Sequence, residues 1–224
     1  MPEHTTPSDI ERTSMQIISR ELAEMGIVIP EENAPVVRRA IHTTADFDYA
    51  KNLRFTDGAC HRAITYLLSG EGVIVSDTNM TRSGISSVAM KKLGAEAICY
   101  MAEPETAAGA KAQNTTRAVI SMQMAAEQHP GCILAIGNAP TALLEICRLM
   151  EAQAFRPALV IAVPVGFVNV VEAKEQILEA CERAGIPCIA AMGRKGGSTV
   201  AAAICNALLY QAADMQDPMK RGWN

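Results

Sequence analysis

The spacing of hydrophobic positions changes character about a third of the way along the chain. Before residue 70 it is helical. Ile10, Ile17, Ile18, Leu22 and Met25 share one arc between Ser8 and Gly26, as an amphipathic helix requires. Ser8-Asp9-Ile10-Glu11 has the Ser-x-x-Glu form of a capping box at its start. A second helix is predicted over 31–42, with Pro35 admissible only in its first turn. After a break at Thr43-Thr44-Ala45-Asp46 and a polar-aromatic stretch, a third covers 59–68 and stops at Gly70. From Gly72 onward, unbroken apolar runs of strand length appear at 73–75, 97–100, 132–136, 159–165 and 187–191. Helical stretches near 82–93, 114–128, 140–153, 169–184 and 196–211 separate them. Runs that do not alternate belong to strands covered on both faces, the mark of a parallel sheet between helices. The predicted architecture is a three-layer, doubly wound α/β fold with a mainly parallel sheet and a helical N-terminal extension. Its domain is expected over 10–212, between tails at 1–9 and 213–224.

Composition narrows the function. With 224 residues, 49% of them hydrophobic, the chain can bury a full core without disulfides or structural metal, which excludes intrinsic disorder. A net charge of −4 and 4% aromatic residues speak against nucleic-acid binding, which needs basic stripes and stacking rings. A small anionic ligand needs only a few placed cations and stays open. The seven cysteines are odd in number and form no Cys-x-x-Cys pair. They read as reduced core thiols in a cytoplasmic protein. The N-terminus shows no basic start followed by an apolar stretch, so no signal peptide is expected. The most apolar run, 158–171, contains Pro164 and Gly166 and falls short of the ~20 residues that span a bilayer. It reads as a buried strand and turn.

In an open parallel sheet, ligands sit beyond the carboxyl ends of the strands. The loops expected there are 76–80, 101–104, 137–141, 164–168 and 193–198. The last is the most informative. Gly196 and Gly197 allow close backbone approach, the following helix start offers free N–H groups, and Arg194 and Lys195 add charge, which together describe an anion site. It matches neither a P-loop nor a dinucleotide fingerprint. Asn138 and Thr141 form a second candidate anion contact, at a helix start where Pro140 suits the first position. Glycine and asparagine after a strand also serve as ordinary turn residues.

Of the four histidines, His4 falls in the expected tail and His129 precedes Pro130 at a helix end. His42 stands out. Val36, Val37, Ala40 and Ile41 share one arc of the second helix, and Arg38, Arg39 and His42 share the other. Arg39 and His42 are three apart and therefore neighbours, so an anion held by Arg39 would lie beside the imidazole; a solvated surface pair is the plainer alternative. A helix C-terminus favours imidazolium by ~0.3–2 kcal/mol, which predicts a proton donor usable near neutrality. Asp46 or Asp48 is close enough in sequence to hold the ring instead. Ser14 lies in the apolar arc of the first helix, where a buried hydroxyl would bond the Ile10 carbonyl. Arg117 opens a helix, where the dipole disfavours a cation, so it is expected to meet an anion or an acidic side chain. Asp77 and Glu172 are a candidate general-acid pair.

The segments Arg39-Ala40-Ile41-His42-Thr43-Thr44-Ala45-Asp46, Ala135-Ile136-Gly137-Asn138-Ala139-Pro140-Thr141-Ala142-Leu143, Pro164-Val165-Gly166-Phe167-Val168 and Gly193-Arg194-Lys195-Gly196-Gly197-Ser198 resemble the precorrin-8X methylmutases of cobalamin biosynthesis. The likeness runs from about Ile10 to Ala212. It implies an isomerase that moves a methyl group from C11 to C12 of a corrin precursor, precorrin-8 or its cobalt form, giving hydrogenobyrinate or cobyrinate. It places the catalytic histidine at His42, substrate contacts at Ser14 and Arg39, and a further contact at Arg117. Asn138, Thr141, Arg194, Lys195, Gly196, Gly197 and Ser198 complete the expected binding set. No metal ligand and no cofactor are expected, since any cobalt arrives within the substrate. The expected partners are a corrinoid and a second copy of the chain, with neither nucleic acid nor membrane. The His-Thr-Thr-Ala-Asp stretch resembles the cobalt-first branch, and Asn169-Val170-Val171 departs from the family's usual small residues after Phe-Val. Two rival readings are a non-catalytic corrinoid carrier and an α/β enzyme acting on a phosphorylated metabolite at Gly193–Thr199.

Overall fold

A computed structural model describes residues 6–221; His4 and the last three positions of the expected C-terminal tail lie outside them. Six strands, β1 (Leu53–Phe55), β2 (Val73–Ser76), β3 (Glu96–Ile98), β4 (Ile133–Ile136), β5 (Leu159–Ala162) and β6 (Cys188–Ala191), form one sheet in the order β1-β6-β5-β4-β2-β3. Only β1 runs antiparallel, pairing Leu53 with Ala191 on β6. The chain passes from β2 outward to β3 and returns to β4 on the other side of β2, so the sheet is doubly wound with its switch point between β2 and β4.

Every position of β4, β5 and β6 is buried, which is why their sequences do not alternate. The period of two is still there: Ile133 and Ala135 face one core, and Leu134 and Ile136 face the other. Helices α8 (Arg117–Gln128), α9 (Pro140–Glu151) and α10 (Val170–Ala184) cover one face. The other carries α11 (Ser198–Ala212). Around α11 pack α2 (Ala34–Thr44), α4 (Ala59–Leu67), α5 (Asn79–Gly84) and α6 (Ser87–Leu93), and α1 (Pro7–Glu24) packs on α2. Apolar residues all round α11 follow from this central place.

Several local expectations change. The first helix starts at Pro7, capped by Thr6, whose hydroxyl accepts from the Asp9 N–H at 3.4 Å. The Ser8–Glu11 capping box does not form, because Ser8 is already helical and Glu11 turns inward to two arginines. Only Ile18 and Leu22 of the predicted arc are core residues; Ile10, Ile17 and Met25 are exposed. The 82–93 helix is two helices parted at Ile85-Ser86, where Asn206 accepts from the Ser86 N–H and donates to the Gly84 carbonyl. Strand β1, the short α3 (Tyr49–Asn52) and α7 (Pro104–Ala112) have no counterpart in the periodicity, being too short or too weakly amphipathic to register. In the run read as buried strand and turn, the strand ends at Ala162, and Phe167 and Val168 are 82% and 76% exposed. Residues 213–221 do not trail away: Met215, Pro218 and Arg221 are buried.

Candidate active site

Helix α2 buries Val36, Val37, Ala40 and Ile41 and leaves His42 exposed, as the wheel predicts, while Arg39 on the same arc is drawn to Glu11 and is only partly exposed. His42 stands in its last turn, ahead of Ala45 in the left-handed region at φ 53°. Two hollows meet at the imidazole. The larger, about 530 Å³, runs from Arg39, His42 and Thr43 across α11 at Thr199 and Asn206 to the α5–α6 turn at Ser86. The smaller, about 220 Å³, is lined by Ser14, Ile17, Ile41, His42 and Phe47. Arg39 thus shares one hollow with His42 and Ser14 shares the other. The Ser14 hydroxyl is only partly buried and makes no bond to Ile10.

The electrostatics of His42 reverse the helix-dipole expectation. Partial burial, with Arg39 next and then Arg221, holds the imidazole below its ordinary value, and Glu11 opposes them. Asp46 and Asp48 do not hold the ring. They bind Lys195 Nζ, Asp46 Oδ2 at 2.6 Å, and this keeps the Asp46 carboxyl below the usual range.

The Gly193–Ser198 strap is occupied by the protein itself. A Cβ on Gly196 would lie 2.1 Å from the Val163 carbonyl oxygen, so only glycine permits the approach. The Gly197 N–H donates to that same oxygen at 2.9 Å. The Ser198 hydroxyl bonds Thr78 Oγ1, and its backbone abuts Gly137 so closely that a Cβ there would stand 2.7 Å from the Ser198 Cα. Arg194 lies over the Phe167 ring at 5.5 Å. Beneath the strap, fully buried Lys174 donates to the Gly193 and Lys195 carbonyls at 2.8 Å each, and burial lowers its pKa to about 8.

A third group gathers at the switch point. Asp77, fully buried, accepts from the Gly137, Asn138 and Ala139 N–H groups at 2.7–2.9 Å. Burial pushes its carboxyl up, against the three donors. Both its oxygens are thus committed to the 137–139 turn, and Glu172 stands exposed on α10, so the structure does not bring them together as an acid pair. Thr141 Oγ1 bonds Thr116 Oγ1, beside exposed Arg117, and Asn138 is exposed. None of Arg117, Asn138 and Thr141 lines either hollow at His42.

Sequence reasoning missed Glu11, Tyr210 and Arg221. Glu11 Oε1 accepts from Arg39 Nη2 at 2.6 Å and from Arg221 Nη1. Tyr210 lies under both guanidiniums. Glu11 faces inward on α1, and a carboxylate on a buried stripe is the one signal that could have marked it. All seven cysteines are buried and free. No cluster of His, Cys, Asp and Glu suited to a metal occurs among the described residues, and no described helix is long and apolar enough to cross a membrane.

The family model described as Precorrin-8X methylmutase matches residues 9–211. A cobalt-precorrin-8 methylmutase of Priestia megaterium is 40% identical over 207 residues, covering 92% of this chain and 89% of its own. One from Leptospira interrogans is 42% identical over 205 residues, covering 90% and 92%. The crystal structure of a precorrin-8X methylmutase from Thermus thermophilus superposes with a TM-score of 0.81 at 38% identity, over 92% of this chain and 98% of that one. Match length, identity and shared fold agree: the chain belongs to the precorrin-8X methylmutase family, isomerases that shift a methyl group in cobalamin biosynthesis.

Proposed function

We propose that this protein moves a methyl group from C11 to C12 of precorrin-8 or its cobalt form, with His42 lending a proton to the macrocycle. The observation that carries this reading is that His42 lines two hollows, one shared with Arg39 and the other with Ser14. A sigmatropic methyl shift makes no demand for a nucleophile or hydride donor. It asks for an apolar bed, cations for the acetate and propionate arms, and an acid that draws electron density from the migrating centre. Arg39 supplies a cation, the floor of α11 supplies Ala202 and Ala203, and His42 supplies the acid. In the free protein partial burial and the two arginines hold its pKa below the ordinary value, which favours the neutral imidazole. Substrate carboxylates drawn to Arg39 offset the arginines and favour imidazolium, so proton uptake accompanies binding.

Ser14 orients the ring or the macrocycle. Arg194 and Arg117 are outlying grips for the longer arms, with Asn138, Thr141 and the start of α11 near them. Lys195, already between two carboxylates, acts by fixing the 46–48 turn. Any cobalt enters as part of the substrate. We also infer a homodimer: Ile10 and Ile17 flank Ser14 and are 47% and 39% exposed, an apolar edge that a second copy would cover beside the substrate. Light scattering should then give twice the 23.9 kDa chain mass, and a monomer at working concentration would refute it.

The deciding experiment is His42→Ala. It should retain tight corrinoid binding, seen by absorbance, and lose ~10²–10⁴-fold in turnover. Wild-type turnover would remove the proton role. Binding without methyl migration in the wild type would instead identify a carrier.

A further inference from the structure

Arg39 is a held arginine. Its side chain is 15% exposed, and its guanidinium lies 5.3 Å from the Tyr210 ring centre as well as 2.6 Å from Glu11 Oε1. The same oxygen accepts from Arg221, whose side chain is 2% exposed. Arg221 is locked in turn: Nε donates to the Met215 carbonyl at 2.8 Å, Nη2 to that of Gln216 at 2.7 Å, and its guanidinium stacks 3.9 Å over Tyr210. Helices α1 and α2 and the C-terminal turn Pro218–Arg221 thus meet on one carboxylate, with Tyr210 of α11 beneath its two arginines. The family match ends at 211, ten residues before Arg221.

Charge and geometry explain why two arginines share one acid. A lone buried Arg39–Glu11 pair would be closed on itself, with little attraction left for an anion. A second guanidinium on the same oxygen divides the carboxylate, so Glu11 neutralises neither fully. Arg221 cannot turn outward, because its donors are committed to two carbonyls. Arg39, on the wall of the larger hollow, is the one able to use its remaining charge. We propose that Arg221 is a positioning residue of the substrate site: by holding Glu11 from behind over Tyr210, it directs Arg39 and keeps that charge available to a substrate carboxylate. This rests on the assignment of Arg39 to the substrate.

The charged groups that the structure sets against His42 are Arg39 on its own helix, Glu11 and Glu21 on α1, and Arg221. Among these, Arg39 and Arg221 lower the imidazole pKa and Glu11 raises it, after burial as the largest cause. The test uses the full chain with Arg221→Gln, Arg221→Lys and Glu11→Gln. It follows KM and kcat with the corrinoid and the His42 titration by NMR without it. Arg221→Gln should raise KM about tenfold, the scale of one charge-assisted hydrogen bond, with kcat within roughly twofold. Arg221→Lys should recover most of that loss. His42 should titrate higher in Arg221→Gln and lower in Glu11→Gln. Unchanged KM and unshifted titration overturn the proposal. A shifted titration with unchanged KM also overturns it, together with the substrate role of Arg39, and leaves His42 to be judged by its own variant. Should Arg221→Gln fail to fold, Glu11→Gln decides: a lowered titration with an altered KM supports the proposal, and no change in either overturns it.

Discussion

At the carboxyl end of the sheet one ammonium, Lys195, lies between two carboxylates, Asp46 and Asp48. In the α1–α2–α11 corner one carboxylate, Glu11, lies between two guanidiniums. The proportions are opposite, and so is the outcome for an incoming anion. Of the strap's two cations Lys195 is outnumbered by acids, and Gly196 presses against backbone at 163 and 164 rather than against open space. The corner is outnumbered by arginines, and one of them reaches a hollow of about 530 Å³. Cations near a helix end are therefore a poor guide to a binding site until their counter-charges are placed.

The contrast can be broken by substitution. Arg39→Ala should give the largest effect, raising KM for the corrinoid by about tenfold or more, since a charge-assisted contact is lost, with kcat much less affected; unchanged affinity would take the corner out of the substrate site. A stability effect separates the buried support of the strap from its surface. Lys174 has its folded pKa lowered to about 8 from 10.5, so between those values the unfolded chain binds more protons. Stability on this group's account then rises with pH across that window. Melts of wild type against Lys174→Met should show the wild type gaining relative stability from pH 8 toward 10.5, and a flat difference would contradict the buried charge. Lys195→Ala is expected to do least. Its ion pairs are exposed, so KM should stay within roughly twofold of wild type, and a tenfold rise would give Lys195 a direct part in holding the substrate.

The parallel sheet was legible because strands buried on both faces leave uninterrupted apolar runs such as Ile133–Ile136 and Leu159–Ala162. His42 and Arg39 were legible for a similar reason: four buried neighbours on α2 leave only one direction for them to face. Glu11 was misread because Ser-x-x-Glu is satisfied by spacing alone, and nothing local distinguishes a capping carboxylate from one turned to Arg221, 210 positions away. The arc Ile10-Ile17-Met25 failed likewise, since periodicity marks an apolar face without saying what covers it.

From the sequence alone came the layer architecture, the reduced thiols, the outward histidine beside an arginine and the family likeness, all set by local periodicity, composition and motif order. The tertiary structure decided which charges remain available. Whether Lys195 is neutralised, whether Asp77 can serve as an acid and which way the His42 pKa moves depend on partners brought close by folding. Electrostatic and hydrogen-bond energies depend on distance and burial, and neither is encoded in the neighbouring residues of the chain.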